Sequence, residues 1–373
     1  MNTETVQTEV VVLGAGVIGL AVSATLSKHH ELLLMESHAR SGQETSSRNS
    51  CVIHSGIYYP RGSRKTDWCI AGRTLLYEYC EKNRVHYRKC GKAVVSTSAE
   101  DDVYLEKLES HSRSLNVPCE WRTKSQLEKD VSFLSVRKAL FFPETGIIEV
   151  HDLLDRCEQQ TTSQNGQLLY KYSLKDIGRE KHGWQLTFDS PAGTCLVSAK
   201  FVVNATGLAA AEWSNRALGV TRYEHRYCRG RYFLLGKRHQ NTWPYLVYPT
   251  PEQHGAGVHV TLDLEGNCRL GPDVDWCSSS KFSEHEKWYD CDWSSILPAF
   301  ASRVRHYAPS IQDAELSPGF IGIRPKLFVD GKAHTDFLVE NHDGFVHCLG
   351  IESPGLTACL AIADEVRKIL TNP

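Results

Sequence analysis

The sequence predicts an α/β protein: a Rossmann-like domain, assembled from separated segments, with an inserted antiparallel-sheet α+β domain. Three observations carry this. The chain opens on an apolar run, a glycine turn and a second apolar run in βαβ order. It closes on an apolar strand followed by a long helix-compatible pattern, and the middle is β-rich.

Val10 to Leu13 reads as the first strand, Gly14 to Gly19 as the turn, Leu20 to Leu26 as helix and Leu32 to Glu36 as the second strand. Uninterrupted apolar strands of this kind belong to a parallel sheet covered on both faces. Helical patterns follow over 62–83 and 99–115, flanking a short strand at Ala93 to Ser98. Strands are expected at 168–170, 184–188 and 195–203, then at 232–235, 245–248 and 258–261. Helical patterns return at 283–289, 294–307 and 353–370, the last with Ser353 as N-cap and Pro354 in the first turn. The arrangement that follows is a cofactor domain from residues 1–90, 150–220 and 320–373 with a substrate domain from 91–149 and 221–319.

A chain of 373 residues is long enough for two lobes. With 42 Lys and Arg against 44 Asp and Glu, the net charge of −2 argues against a nucleic-acid binder. No apolar stretch is long enough to span a membrane, and Met1 to Glu9 has neither a secretory nor a transit-peptide character. A soluble intracellular protein is expected, in the cytoplasm rather than the mitochondrial matrix. The thirteen cysteines contain no C-x-x-C pair, so neither a disulfide framework nor a metal site is expected.

Gly14, Gly16 and Gly19 fit G-x-G-x-x-G. The first glycine allows the tight turn, the second lets backbone approach a pyrophosphate, and the third lets helix and strand pack closely. Val17 and Ile18 place backbone N–H groups at the helix N-terminus, where phosphate is favoured. Glu36, at the end of the second strand, is positioned to accept from a ribose diol. The fingerprint fits NAD and FAD alike, and two later features favour FAD. The strand ending in Ala205-Thr206-Gly207 lets a backbone turn approach the cofactor. Near the C-terminus, the strand-to-helix segment with Gly350, Gly355, Leu356 and Thr357 directs a helix N-terminus at a flavin edge. Ser46, Ser47 and Arg48 supply hydroxyls and a guanidinium suited to phosphate oxygens, with Asn49 beside them.

Together these segments resemble the FAD-dependent oxidoreductases of the D-amino-acid-oxidase fold over nearly the whole chain. Glu44 to Tyr59, Leu76 to Cys80, Gly91-Lys92, Gly257 to Thr261 and Gly322-Ile323-Arg324 most resemble the L-2-hydroxyglutarate dehydrogenases and oxidases. The resemblance implies FAD-dependent oxidation of a 2-hydroxy acid to a 2-oxo acid, with oxygen, a quinone or an electron carrier as acceptor. A glycerol 3-phosphate or amino-acid (or secondary-amine) oxidoreductase is the rival. Such chemistry needs a base for the hydroxyl proton, and a neutral histidine suits it. His54 is the candidate, either as that base or as a covalent attachment point for the flavin. A small anionic substrate needs placed cations: Arg324 first, with Lys326 two residues on and His259 as helpers. The basic run from Arg222 to Arg238 reads as a solvated face, and Trp243, Tyr245 and Tyr248 as aromatic core.

Overall fold

A computed structural model describes residues 5–251 and 257–371. Its first strand, Thr5–Leu13, leads through the helix Val17–Leu26 to the strand Leu32–Glu36, which lies parallel beside it from Val10↔Leu32 to Leu13↔Met35. Parallel pairing continues outward to Gly166–Tyr170 on one side and to Gly193–Asn204 and Phe345–Leu349 on the other. The first half of Gly193–Asn204 instead continues antiparallel into Gly183–Ser190 and Ser173–Glu180. The apolar runs have their cause in this layering. Val10, Val12, Leu32 and Leu34 pack with Leu20, Val22 and Ile362 on the helical face. Val11, Leu13, Leu33 and Met35 pack under Trp184, Leu186 and Phe188 of the antiparallel meander. Each such side chain removed from water contributes about 1.5–3 kcal/mol before entropy is counted.

A second sheet has ten strands. Leu316–Val329, Tyr223–Leu235, Cys268–Leu270, Val260–Leu262 and Leu246–Pro249 lie side by side in it, followed by Lys92–Ser96, Lys138–Phe142 and Glu120–Thr123. It is antiparallel except where Leu246–Pro249 runs parallel to Lys92–Ser96. Leu105 and Leu108 of the helix Ala99–Ser114 and Phe300 and Val304 of Trp293–Arg305 share its hydrophobic core. A small sheet of Val52–Ile53, Gly146–Ile148 and Tyr87–Arg88 lies apart from both.

Several elements depart from expectation. The expected boundary at residue 320 falls inside Leu316–Val329, which pairs along the whole of Tyr223–Leu235. We propose that the chain divides along its two large sheets, with residues 316–333 on the larger one. The segment Phe282–Tyr289 is a 3₁₀ helix. The C-terminal helix is Gly355–Thr371. Pro354 accepts the first helical bond there, from the Ala358 N–H at 3.0 Å, while the Ser353 hydroxyl turns to His54 Nε2 at 3.3 Å instead of capping. No disulfide joins any of the cysteines among the described residues. Among the described residues no helix is long and apolar enough to cross a membrane.

Candidate active site

A cavity of about 930 Å³ is lined from both large sheets. That is the upper range for a cleft that encloses a small molecule. Its first wall is the glycine turn. Gly14 sits at φ +93°, and a Cβ there would lie 2.7 Å from the carbonyl oxygen of Ala205, so only glycine lets this turn pack on Ala205-Thr206. A Cβ at Gly19 would fall 1.8 Å from the Gly14 oxygen, which fixes how closely helix and strand approach. Gly16, Val17 and Ile18 line the cavity, and the Val17 N–H donates to the Ser46 hydroxyl at 2.9 Å. Glu36 also lines it; its carboxylate accepts from the N–H groups of Ala15 at 2.7 Å and His38 at 2.8 Å.

Ser46, Arg48, Asn49, Ala205, Thr206, Gly207, Gly355 and Leu356 all face the same cavity. The guanidinium of Arg48 stacks 4.2 Å over the Tyr289 ring, and the Asn49 amide ties its own turn to the carbonyls of Thr45 and Ser46. Four expected cofactor residues stand behind the wall. Gly19 packs as described, and the Ser47 hydroxyl turns to the Gly42 carbonyl. The Gly350 N–H points to His225 Nε2 at 3.4 Å. Thr357 accepts from the His54 N–H at 3.0 Å and donates to Val52 at 3.2 Å, tying the C-terminal helix to the histidine.

His54, His259, Arg324 and Lys326 are brought together on the cavity wall. Burial pushes both histidines down to about 3, with Lys92 adding to the shift in each. Both rings are therefore neutral at pH 7. His259 Nδ1 lies 2.9 Å from the Gly257 carbonyl and must carry its proton there, leaving Nε2 as the acceptor; the ring stacks 3.7 Å from Tyr248. Thr261 is buried but away from the cavity, its hydroxyl facing the Arg269 carbonyl.

The strand Leu316–Val329 runs through Pro325, so Arg324 and Lys326 share a face, about 6.6 Å apart along the strand. Arg324 donates to the carbonyls of Asp273 and Arg229 at 2.8 and 3.1 Å, its Nε has no hydrogen-bond partner, and no carboxylate pairs with it among the described residues. Lys326 instead meets both oxygens of Glu352, at 2.8 and 2.7 Å, and Lys65 reaches the same carboxylate at 3.0 Å. The two lysines hold the Glu352 carboxyl below its ordinary range against the opposing effect of burial. This trio carries one net positive charge.

Lys92 entered the sequence reading only within the Gly91-Lys92 resemblance and was not among the expected site residues. It is fully buried, Nζ has no hydrogen-bond partner, and the ammonium lies 4.4 and 4.9 Å from the ring centres of Tyr58 and Tyr248. Burial pushes it down to about 7. Its physical signal in the sequence is a lysine at the head of an apolar strand, Lys92-Ala93-Val94-Val95. Tyr248, expected in the core, also lines the cavity, whereas Trp243 and Tyr245 do pack in the core. The basic run is spent on ion pairs: Arg222 with Asp330, Arg226 with Glu224, and Arg229 and Arg231 with Asp275 and Asp273.

The walls fit a dinucleotide: a turn with glycine at 14 and 16, the N-terminal residues Val17 and Ile18 of the following helix, and an acid at the end of the second strand. The FAD dependent oxidoreductase family model matches residues 9–369. A mitochondrial L-2-hydroxyglutarate dehydrogenase of Arabidopsis thaliana is 33% identical, covering 96% of this chain and 82% of that protein. A glycerol 3-phosphate dehydrogenase of Caloramator mitchellensis is 26% identical over 98% of this chain and 74% of its own. The fold matches L-alpha-glycerophosphate oxidase of Mycoplasma pneumoniae with FAD bound, at a TM-score of 0.87 and 23% identity over 98% of this chain and 95% of that one. A dinucleotide cradle, two neutral histidines and an unpaired arginine on one cavity thus meet in a chain that belongs to the FAD dependent oxidoreductase family.

Proposed function

We propose that the protein oxidises L-2-hydroxyglutarate to 2-oxoglutarate. The observation that carries this reading is the pair Arg324 and Lys326 on one strand face beside His54. Two separated positive positions suit a substrate with two carboxylates, and Arg324, whose charge no carboxylate cancels among the described residues, suits charge-assisted binding of one of them. The similarity to the Arabidopsis dehydrogenase supports the same substrate.

When bound, FAD supplies the acceptor for the hydride that leaves the substrate carbon. The Gly14 to Val17 turn and Ser46 would hold its phosphates, Glu36 its ribose, and Gly355-Leu356 would face the ring system. Arg324 holds one carboxylate, and Lys326, still positive in sum with Lys65 and Glu352, attracts the other. His54 Nε2 takes the hydroxyl proton as the carbon–hydrogen bond breaks. A base pushed down to about 3 is weak in the empty cavity. A dianion beside it opposes the field of the surrounding cations and raises its affinity for the proton as substrate binds. Thr357 positions His54 through its backbone N–H.

The electron acceptor is oxygen, a quinone or an electron carrier. Thirteen cysteines with no disulfide among the described residues support a reducing intracellular compartment, with the cytoplasm proposed ahead of the mitochondrial matrix. Anaerobic titration of the holoenzyme with L-2-hydroxyglutarate, glycerol 3-phosphate and a panel of amino acids tests the substrate. Bleaching of the flavin by the hydroxy acid alone is expected. Bleaching only by glycerol 3-phosphate or an amine overturns it.

A further inference from the structure

On the far side of the Phe345–Leu349 strand from the cavity residues it leads to, three side chains converge with no role in the reaction. We propose that Glu340, His342 and His347 form a binding site for one zinc-class divalent cation. The two strands Leu338–His342 and Phe345–Leu349 pair antiparallel, which sets Glu340 directly opposite His347. His342 lies two residues beyond Glu340 and therefore on the same face. One ligand atom from each of the three lies within 4.8 Å of the other two.

The spacing is that of ligands and not of hydrogen bonds. Glu340 Oε2 lies 3.7 Å from His347 Nε2 and 3.7 Å from His342 Nε2. Tetrahedral bonds of about 2.0–2.1 Å to a single ion put ligand atoms about 3.3–3.4 Å apart, so a shift of a few tenths of an ångström closes the two Glu340 distances, and the two histidines, within 4.8 Å of each other, need a side-chain adjustment of at most about 1.5 Å. The second observation is His347 itself. Its side chain is 0% exposed and neither ring nitrogen has a hydrogen-bond partner, and His342 Nε2 is likewise buried and unpartnered. A buried polar nitrogen left unpaired destabilises the fold, because its lost hydration is not replaced. Coordination of a cation removes that cost at Nε2 of both rings, and leaves the proton of His347 on Nδ1.

The field of Arg222, which reaches His347, does not oppose this strongly, because Arg222 is paired with Asp330 at 2.9 Å. Two imidazoles and a carboxylate select zinc, nickel or copper over magnesium and calcium. Glu340 and His342 are partly exposed, at 44% and 35%, so the ion has an entry path and a coordination position left for water. Binding would pin the hairpin whose second strand runs on through Gly350 to Glu352.

Calorimetric titration of the holoenzyme with zinc chloride, and separately with nickel chloride, tests the site. The comparison protein is the double variant Glu340→Gln, His342→Ala, with its flavin spectrum checked against wild type to establish folding. Thiols bind zinc in both proteins, so the readout is the difference between them. The wild type should take up one more equivalent of each metal than the variant, and its unfolding temperature should rise with nickel where the variant's does not. Equal uptake and equal thermal response in the two proteins would overturn the site. So would a wild type that binds no metal. A variant that lacks flavin is replaced by His342→Gln alone, judged by the same difference.

Discussion

Arg324 donates to the carbonyl oxygen of Asp273 at 2.8 Å, a neutral partner that fixes the guanidinium without cancelling its charge. The fork is thereby oriented, and its charge remains available to a substrate carboxylate. Replacing it with alanine should lower kcat/KM for the dicarboxylate about 10²–10³-fold, or about 3–4 kcal/mol, chiefly through KM. Lysine at the same position restores charge but not the fork and should recover only part of that loss. Steady-state kinetics of Arg324→Ala and Arg324→Lys decide it; an unchanged KM in both would remove Arg324 from the site.

His54 lines the cavity, with Nε2 3.3 Å from the Ser353 hydroxyl, and is held by Thr357 through its backbone, so the side chain can be changed without disturbing that anchor. His54→Ala should lower kcat by about 10²–10⁴-fold while flavin binding is little affected. The flavin should be released free when the wild type is precipitated with acid. Flavin retained in the pellet would make His54 an attachment point and end its assignment as base.

How much of this was legible in the sequence depends on the range of each contact. The βαβ unit, Gly14, Gly19 and Glu36 were readable because turn, helix and strand are local, and each residue's neighbour lies on an adjacent element. Tyr223–Leu235 was read only from Tyr232 onward. The alternation of Tyr223, His225 and Tyr227 with Arg222, Glu224 and Arg226 is a half-buried strand that looked like a charge run. The pairing of Lys326 with Glu352 and the convergence of Glu340, His342 and His347 arise only from tertiary and cross-strand register. Ser47, Gly350 and Thr357 were read as touching cofactor because spacing gives proximity to the site, whereas side-chain direction depends on partners such as Gly42, His225 and Val52.

Lys92 illustrates a charge kept at a cost to stability. Its folded pKa of about 7 lies below the unfolded value of about 10.4, so between those limits the unfolded chain holds the proton and the folded chain does not. Stability from this group therefore rises with pH across that window, and the cost is complete below pH 7. Lys92→Met should stabilise the protein by about 1–3 kcal/mol near pH 7, and the advantage should shrink toward pH 10. Removing the ammonium also relieves its field on His54, so the acid limb of the kcat/KM profile should move to higher pH. Thermal melts and pH–rate profiles of the variant measure both effects; a destabilised variant with an unmoved acid limb would contradict them.

Four buried histidines govern the acid side. His54, His259 and His347 are pushed down to about 3 and His225 to about 4, all mainly by burial. The unfolded chain takes up their protons near pH 6.5 and the folded chain does not until far lower, so folding stability must fall as pH drops through 6.5 toward 3. Each contributes a slope of about 1.4 kcal/mol per pH unit in the middle of that window. His225 is the one to remove, since it lies outside the chemistry and only bridges the Leu208 carbonyl to the Gly350 N–H. Asparagine can keep the Leu208 bond without titrating. Urea unfolding of His225→Asn between pH 4.5 and 6.5 should give a pH slope shallower by about one proton than the wild type's. An identical slope would mean that His225 protonates in the folded state as readily as in the unfolded one.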